Sequence, residues 1–246
     1  MTLPVFWSPG LDTAAVGAET TLDGDEGRHA VVVRRTRTGE QLVLTDGGGR
    51  AATCVVTAVM KDSLTARVLA VEQTVRSRPQ VTVVQAIPKG DRADLAVEAL
   101  TEVGADRIVP WAAERCVAVW RGERTEKSLR RWRSTAREAA KQSRRRWFPE
   151  VAPRAGSGEV AELLRAADLA VVLHERADRP LGAVPSADSG SVVVVVGPEG
   201  GISPEELELL GAAGGRAVRM GGTVLRTSTA GVAAVAALLA GTPRWA

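Results

Sequence analysis

The chain lacks the features that mark secreted, membrane and metal-binding proteins. It has two cysteines in 246 residues. Cys54 and Cys116 stand far apart without metal-ligand spacing, which argues against a disulfide framework and a metal site and makes a reducing cytoplasm the expected compartment. The start, Met1-Thr2-Leu3-Pro4, has neither the basic residues nor the apolar run of a signal peptide. No uninterrupted apolar segment is long enough to span a bilayer, so no membrane partner is expected. Neither sign of charge is in large excess. The 32 Lys and Arg against 29 Asp and Glu leave +3, and with so small a total the distribution of charge matters more than the sum. Two phosphate-binding signatures are also missing. There is no Gly-Lys-Ser/Thr of a P-loop, and no Gly-x-Gly-x-x-Gly followed about twenty residues on by an acidic ribose ligand.

What is present is a chain that is 45% hydrophobic, ordinary for a protein with a real core. Its length suits one large domain or two small ones. Residues 1–74 read as a β-rich module. A short strand is expected at 3–7 and a capped short helix at 23–33, although Val31–Val33 leave strand open there. Gln41–Thr45, Ala52–Met60 and Leu64–Val71 then form an antiparallel meander, with Asp46-Gly47-Gly48-Gly49 as a hairpin turn. His29 has no Ser, Cys or acidic partner at diagnostic spacing and reads as structural.

Arg76-Ser77-Arg78-Pro79 breaks the pattern, and residues 75–246 alternate strand with helix, as a mostly parallel α/β sheet requires. Val81–Ile87 is a strand, Arg92–Val103 an amphipathic helix stopped by Gly104, and Arg107–Trp111 a strand. Lys89 and Arg92 lie at the carboxyl end of the first of these strands, the edge where ligands bind in open α/β sheets. They are either a phosphate site or a charged loop, and Arg115 is open in the same way. Cys116 beside it has no identifiable base. From Lys127 to Trp147 the pattern predicts a strongly basic helix, opposed by Glu138 alone. Arg130, Arg133, Arg137, Lys141 and Arg144 step by three and four along one face. Such a face points to nucleic acid or to a solubilising surface. Arg145 and Arg146 follow, and Trp147 and Phe148 are open between stacking on a base and packing. Arg34, Arg35 and Arg37 are likewise either a solvated loop or an RNA-contacting edge.

The stretch from Val192 to Leu239 organises the second part. Five valines, Val192–Val196, read as a strand buried on both faces. Gly197-Pro198-Glu199-Gly200-Gly201 follows, then Ser203-Pro204-Glu205-Glu206, a capping box with Pro at the first helical position. Ala217–Met220 leads into Gly221–Thr229 and a last small-residue helix. The two glycine loops can line one pocket, for an uncharged or cationic ligand that takes hydrogen bonds from backbone.

These motifs carry a resemblance. Gly197–Gly201 with Ser203–Glu206, followed by Val224-Leu225-Arg226-Thr227, resembles the RsmE family, whose members are S-adenosylmethionine-dependent methyltransferases of the SPOUT superfamily acting on N3 of a uridine in 16S ribosomal RNA. Lys89–Arg92, Thr101–Gly104, Glu114–Cys116 and Gln142–Arg144 match family positions in order and spacing. The resemblance implies a small PUA-like β-barrel followed by a trefoil-knotted, mostly parallel sheet with helices on both faces. It implies S-adenosylmethionine held by Leu173, His174, Glu175, Gly197, Pro198, Glu199, Gly200, Gly201, Met220, Gly221, Val224, Leu225, Thr227 and Ala230, with Arg226 catalytic. It also implies a homodimer acting on 16S ribosomal RNA in an assembled or nearly assembled small subunit, with Arg34, Arg35, Lys89, Arg92, Arg115, Arg137, Lys141, Arg144 and Arg145 on the RNA. Ser228, Ala99 and Lys141 stand where many members have Glu, Lys and Glu. A non-catalytic RNA-binding assembly factor and a nicotinamide enzyme are the other classes weighed. The missing acidic ribose ligand counts against the latter.

Overall fold

Turn glycines and alternating apolar residues build the first part of the chain. A computed structural model describes residues 3–90, 92–185 and 190–245, so Asp91 of the Lys89–Arg92 motif lies outside the described residues. The chain divides into two compact units, residues 1–76 with 140–148 and residues 77–139 with 149–246. The linear boundary expected at 74/75 does not anticipate that the short segment 140–148 belongs with the first unit.

The first unit contains β1 (Val5–Trp7), β2 (Glu19–Leu22), α1 (Gly24–Arg28) continuing as a π-helical turn over His29–Val33, β3 (Gln41–Thr45), β4 (Arg50–Val59) and β5 (Leu64–Gln73). The strand order is β1-β3-β4-β5-β2. β3, β4 and β5 form the expected meander. β2 adds to β5 antiparallel and β1 to β3 in parallel. β2 had no sequence signal because Glu19-Thr20-Thr21 is polar and Leu22 is its one buried residue. The valines at 31–33 are helical, and Val32 and Val33 face solvent. The curled sheet closes on Phe6, Leu22, Leu42, Leu44, Val56 and Leu64.

Trp147 and Phe148 explain why 140–148 joins this unit. A Cβ on Gly49 would meet the Trp147 ring at 2.5 Å, and one on Gly47 would meet the Phe148 ring at 2.7 Å. Backbone hydrogen bonds fix the contact: Gly49 N–H donates to the Arg146 carbonyl (2.9 Å) and Phe148 N–H to the Gly47 carbonyl (2.8 Å). Arg76 lies over the Trp147 ring at 4.7 Å. These two aromatics therefore pack on the β3–β4 turn instead of presenting faces for a base.

The second unit alternates β6 (Gln80–Ala86), α2 (Arg92–Val103), β7 (Arg107–Trp111), α3 (Glu123–Gln142), β8 (Glu150–Val151), α4 (Ser157–Arg165), β9 (Leu169–Leu173), β10 (Ser191–Val196), α5 (Pro204–Ala212), β11 (Arg216–Val218) and α6 (Thr227–Leu239), the last residues of α3 being those of the first unit. Its sheet runs β11-β9-β10-β6-β7-β8 and every pair is parallel. One face carries Val81, Val83 and Ile87 against α2, α3 and α6. The other carries Val84 and Ala86 against α4 and α5. The valine run of β10 is buried on both faces, as its sequence requires. Arg244 ties the chain's end to the start of the sheet, donating to the carbonyls of Pro79 and Gly104 (both 2.7 Å) and to Asp106 Oδ2 (2.6 Å).

The basic helix is shorter than its pattern predicts. It ends at Gln142, and Arg144 takes a left-handed φ of 57°, so Arg144–Arg146 leave the helical face. Replacing Gly49 by Val should cost about 3 kcal/mol, combining a left-handed backbone (φ 98°) with an overpacked tryptophan. Urea unfolding followed by tryptophan fluorescence measures it, and an unchanged midpoint would show that the Trp147 contact is loose.

Candidate active site

The strand register decides where the loops meet. Val218 pairs with Leu173, Leu173 with Val196, and Val196 with Gln85, so three neighbouring strands end level and β6 runs one residue further. The segments just beyond them, at His174, Gly197 and Arg219, and the start of α6 surround a cavity of about 460 Å³. Every residue that the family resemblance assigns to the cofactor lines this cavity, as do Arg92 and Arg226. Val196, Ile202 and Thr223 line it too. Sequence reasoning passed over Val196 and Ile202 because an apolar residue beside a glycine loop reads as core, whereas Thr223 falls within the stretch Met220–Leu225 already expected against the cofactor.

The first glycine loop is held tightly on both sides. A Cβ on Gly197 would lie 2.8 Å from Ile202, and one on Gly200 3.1 Å from Arg115. Gly201 has φ 76° and its N–H donates to the Pro198 carbonyl (2.9 Å). Beyond it, the capping box of α5 does more than cap. Ser203 Oγ accepts from Glu206 N–H (3.3 Å), and Glu206 Oε2 accepts from Ser203 N–H (3.4 Å). Glu206 Oε1 accepts from Glu114 N–H (2.9 Å) and from the Ser157 hydroxyl (2.7 Å). Ser157 in turn accepts from the Trp111 indole (3.1 Å). One buried carboxylate thus ties the loop after β7, the start of α4 and the glycine loop together.

The second glycine stretch is open. Nothing stands within 4 Å of a Cβ on Gly221 or Gly222, and Gly221 has φ 136°. Arg226 occupies the N-cap of α6 in extended conformation. Its carbonyl accepts from the N–H groups of Thr229 and Ala230 (both 2.9 Å). Its side chain is exposed and has no partner among the described residues.

The other titratable groups are placed less favourably for catalysis. Glu199 Oε1 accepts from Lys89 N–H (3.3 Å). His174 Nδ1 accepts from Arg176 N–H (3.2 Å), so that ring nitrogen is occupied. Burial pushes the Cys116 thiol above its ordinary range, which keeps it a neutral thiol. No group of His, Cys, Asp and Glu suited to a metal occurs among the described residues.

These residues fit S-adenosylmethionine. Glycine loops bring bare backbone to the cavity wall, and an adenosyl group is read by backbone donors and acceptors. Glu175 and Glu199 offer anions to a sulfonium or ammonium, and Arg92 offers a cation to a carboxylate.

The basic residues are less uniform than their spacing predicts. Lys141 is buried (5% exposed), with Nζ 2.5 Å from Glu26 Oε1. It is therefore an internal ion pair and not part of an RNA face. Arg145 Nε donates to the Trp147 carbonyl (2.9 Å) and Arg137 is half-buried. Arg131 pairs with Asp94, and Arg133 donates to the Val151 carbonyl. Arg34, Arg35 and Arg144 are exposed in the first unit, Lys89, Arg92 and Arg115 in the second.

Comparison with known proteins agrees with this architecture. Residues 76–239 match an RNA methyltransferase domain and residues 22–69 an RNA methyltransferase PUA domain. The chain is 51% identical to the ribosomal RNA small subunit methyltransferase E of Mycobacterium bovis, covering 93% of this chain and 89% of that protein. The chain belongs to the ribosomal RNA small subunit methyltransferase E family. The Neisseria gonorrhoeae member, solved bound to S-adenosyl methionine, superposes with a TM-score of 0.88 at 32% identity, over 97% of this chain and 98% of that one. A Legionella pneumophila methyltransferase in complex with the same cofactor superposes with a TM-score of 0.90 at 28% identity, over 98% and 99%.

Within this family frame, the departures fall away from the cavity lining. Ser228 is buried in the first turn of α6, and Ala99 lies half-buried on α2. Glu206 is the residue that motif reading undervalued, since a capping box predicts two of its hydrogen bonds and not the other two. Replacing it by Ala should destabilise the chain by about 3 kcal/mol, because it leaves several buried donors unpaired. It should also weaken S-adenosylmethionine binding. Urea unfolding and calorimetry check both, and wild-type values in the two would remove Glu206 from the loop's support.

Proposed function

We propose that this protein transfers a methyl group from S-adenosylmethionine to N3 of a uridine in 16S ribosomal RNA. Family membership and the cofactor-bound relatives support a catalytic reading over an RNA-binding assembly factor without chemistry. The observation that carries the reading is an unpartnered guanidinium, Arg226, on the rim of a cavity walled by backbone.

When bound, the cofactor supplies an electrophilic methyl carbon on a sulfonium sulfur. The chain's own residues do the rest. The loops at Leu173–Glu175, Gly197–Gly201 and Met220–Leu225 would hold the adenosyl part against backbone and orient the methyl toward the incoming nitrogen. N3 of uracil is a poor nucleophile while it carries its proton. Arg226 forks onto O2 or O4 and stabilises the negative charge that develops as that proton passes to solvent water. Its position on the N-cap of α6 adds the positive end of a helix to the same spot.

The RNA is held by exposed cations. Lys89, Arg92 and Arg115 serve in the methyltransferase unit, and Arg34, Arg35 and Arg144 in the PUA-like unit. The substrate is the small subunit, assembled or nearly so, and the enzyme works in the cytoplasm as a homodimer. The exposed apolar side chains Leu95, Val117, Val119 and Leu225 support a subunit interface in the second unit. The return of α6 to α2, β6 and β10 in the middle of the sheet supports the trefoil threading of the family.

Changing Arg226 to Ala should lower kcat by roughly 10²–10³-fold, the scale of losing one preorganised charge-stabilising donor. The dissociation constant for S-adenosylmethionine should stay within a few-fold. Radiolabel transfer to small subunits lacking the modification, with calorimetry for the cofactor, separates the two effects. Near-normal turnover would sink the assignment. RNA affinity should fall with salt by about 0.7 to 0.9 in log–log slope for each phosphate contacted.

A further inference from the structure

Gln85 is out of place in its strand. Along β6 and the residue after it, those facing α2 and α6 are Val81, Val83, Gln85 and Ile87, and the other three belong to the apolar cluster on that face. The Gln85 side chain is 1% exposed. Its register partner is Val196, the last residue before the first glycine loop. It therefore lies level with the cavity floor, one layer beneath the segments that line it.

Its hydrogen bonds join two ends of the site. Nε2 donates to the Ala86 carbonyl at the end of β6 (3.0 Å) and to the Thr227 carbonyl in the first turn of α6 (3.3 Å). Both acceptors are carbonyl oxygens, which fixes the orientation of the amide. Oε1 then has no donor among the described residues. It faces Gly231, where a Cβ would come within 3.5 Å of it. A buried acceptor without a partner carries a desolvation cost that an apolar residue of the same shape avoids. Packing alone therefore does not call for glutamine here.

We propose that Gln85 is a positioning residue for methyl transfer. Its amide holds the first turn of α6 against the end of β6 and so sets Arg226, one residue before Thr227, over the cavity. Gly231 is the complementary feature. A side chain there would press on Leu100 (3.1 Å) and Val196 (3.2 Å) as well as on Gln85, so the bare residue lets α6 seat within reach of the amide. Gln85 does not line the cavity and touches no reacting atom.

This inference rests on the methyltransferase reading above, and the test separates the two. Gln85→Met keeps the shape and removes both donors and the orphan acceptor. Gln85→Glu keeps the shape and replaces the donor with an acceptor. Both variants should show kcat lowered at least tenfold on wild-type-reactive small subunits. Their KM for S-adenosylmethionine should stay within about threefold, and the melting temperature of Gln85→Met within a few degrees. Amide exchange at Thr229–Gly231 should quicken, because the first turn of α6 has lost its tie. Unchanged kcat in Gln85→Met overturns the proposal, as does a loss of activity that merely follows the folded fraction. If one variant does not fold, the other carries the same comparison. If the wild type itself fails to methylate small subunits, the functional reading fails, and the exchange rates alone still decide whether Gln85 holds α6.

Discussion

Parallel pairing in register, with Val218, Leu173, Val196 and Gln85 side by side, is the constraint on which this molecule's site depends. A parallel sheet puts every carboxyl end on one edge, and a level register puts the following loops at one height. None of these loops could form the cavity alone. Shifting β10 by one residue would turn its valines to the opposite faces and carry Gly197 out of line with His174 and Arg219. Five like valines buried on both faces do not resist that slip; the ends of β10 do, where Ser191 N–H donates to Asp168 Oδ2 (2.8 Å) and a Cβ on Gly197 would lie 2.8 Å from Ile202.

The loops themselves are held by polar groups that are buried but satisfied. Among the described residues Glu206 has no cation beside it, and it relies on N–H and O–H donors from Ser203, Glu114 and Ser157. A carboxylate satisfied in this way acts as a hub, because it can accept from several segments at once. Loss of the hub would free the loop at Glu114–Cys116, and with it Arg115, whose Cβ and carbonyl abut Gly200. The glycines then have two separate reasons to be there. Gly197 and Gly200 are small because neighbours press on them, whereas Gly221 and Gly222 face open space and leave backbone exposed to a ligand.

Elements with strong periodicity were legible from residues alone: β3 to β5, α2, β7, β10 and the capping box of α5. So was the convergence of the two glycine loops, since each follows a buried strand. Three features were not. β2 is polar and finds its place only by pairing with β5. Trp147 and Phe148 are far in sequence from the Gly47–Gly49 turn they cover, and no local pattern encodes that contact. The end of α3 was overextended because arginine is a good helix former. Arg144 nonetheless takes the left-handed position that usually calls for glycine. Ligand identity came from family motifs, since spacing excluded phosphate sites without naming what replaced them.

Charge shows the same limit most clearly. Summed along the sequence, 127–147 is a basic face that needs an anion. In the folded chain Arg131 has Asp94, Lys141 has Glu26 and Arg146 has Glu72, while Arg133 and Arg145 donate to carbonyls. The acids come from α2, α1 and β5, so a local count of charge cannot see them. Such pairs orient their side chains, while Lys127, Arg130 and Arg144 stay exposed. The cations best placed for RNA are those on short loops, such as Lys89 and Arg115, where no acid answers the side chain in the described residues. The cavity combines both signs, with Glu175 and Glu199 beside Arg92 and Arg226. A cationic cofactor and an anionic substrate must meet there, and a wall of one sign would hold one of them and repel the other.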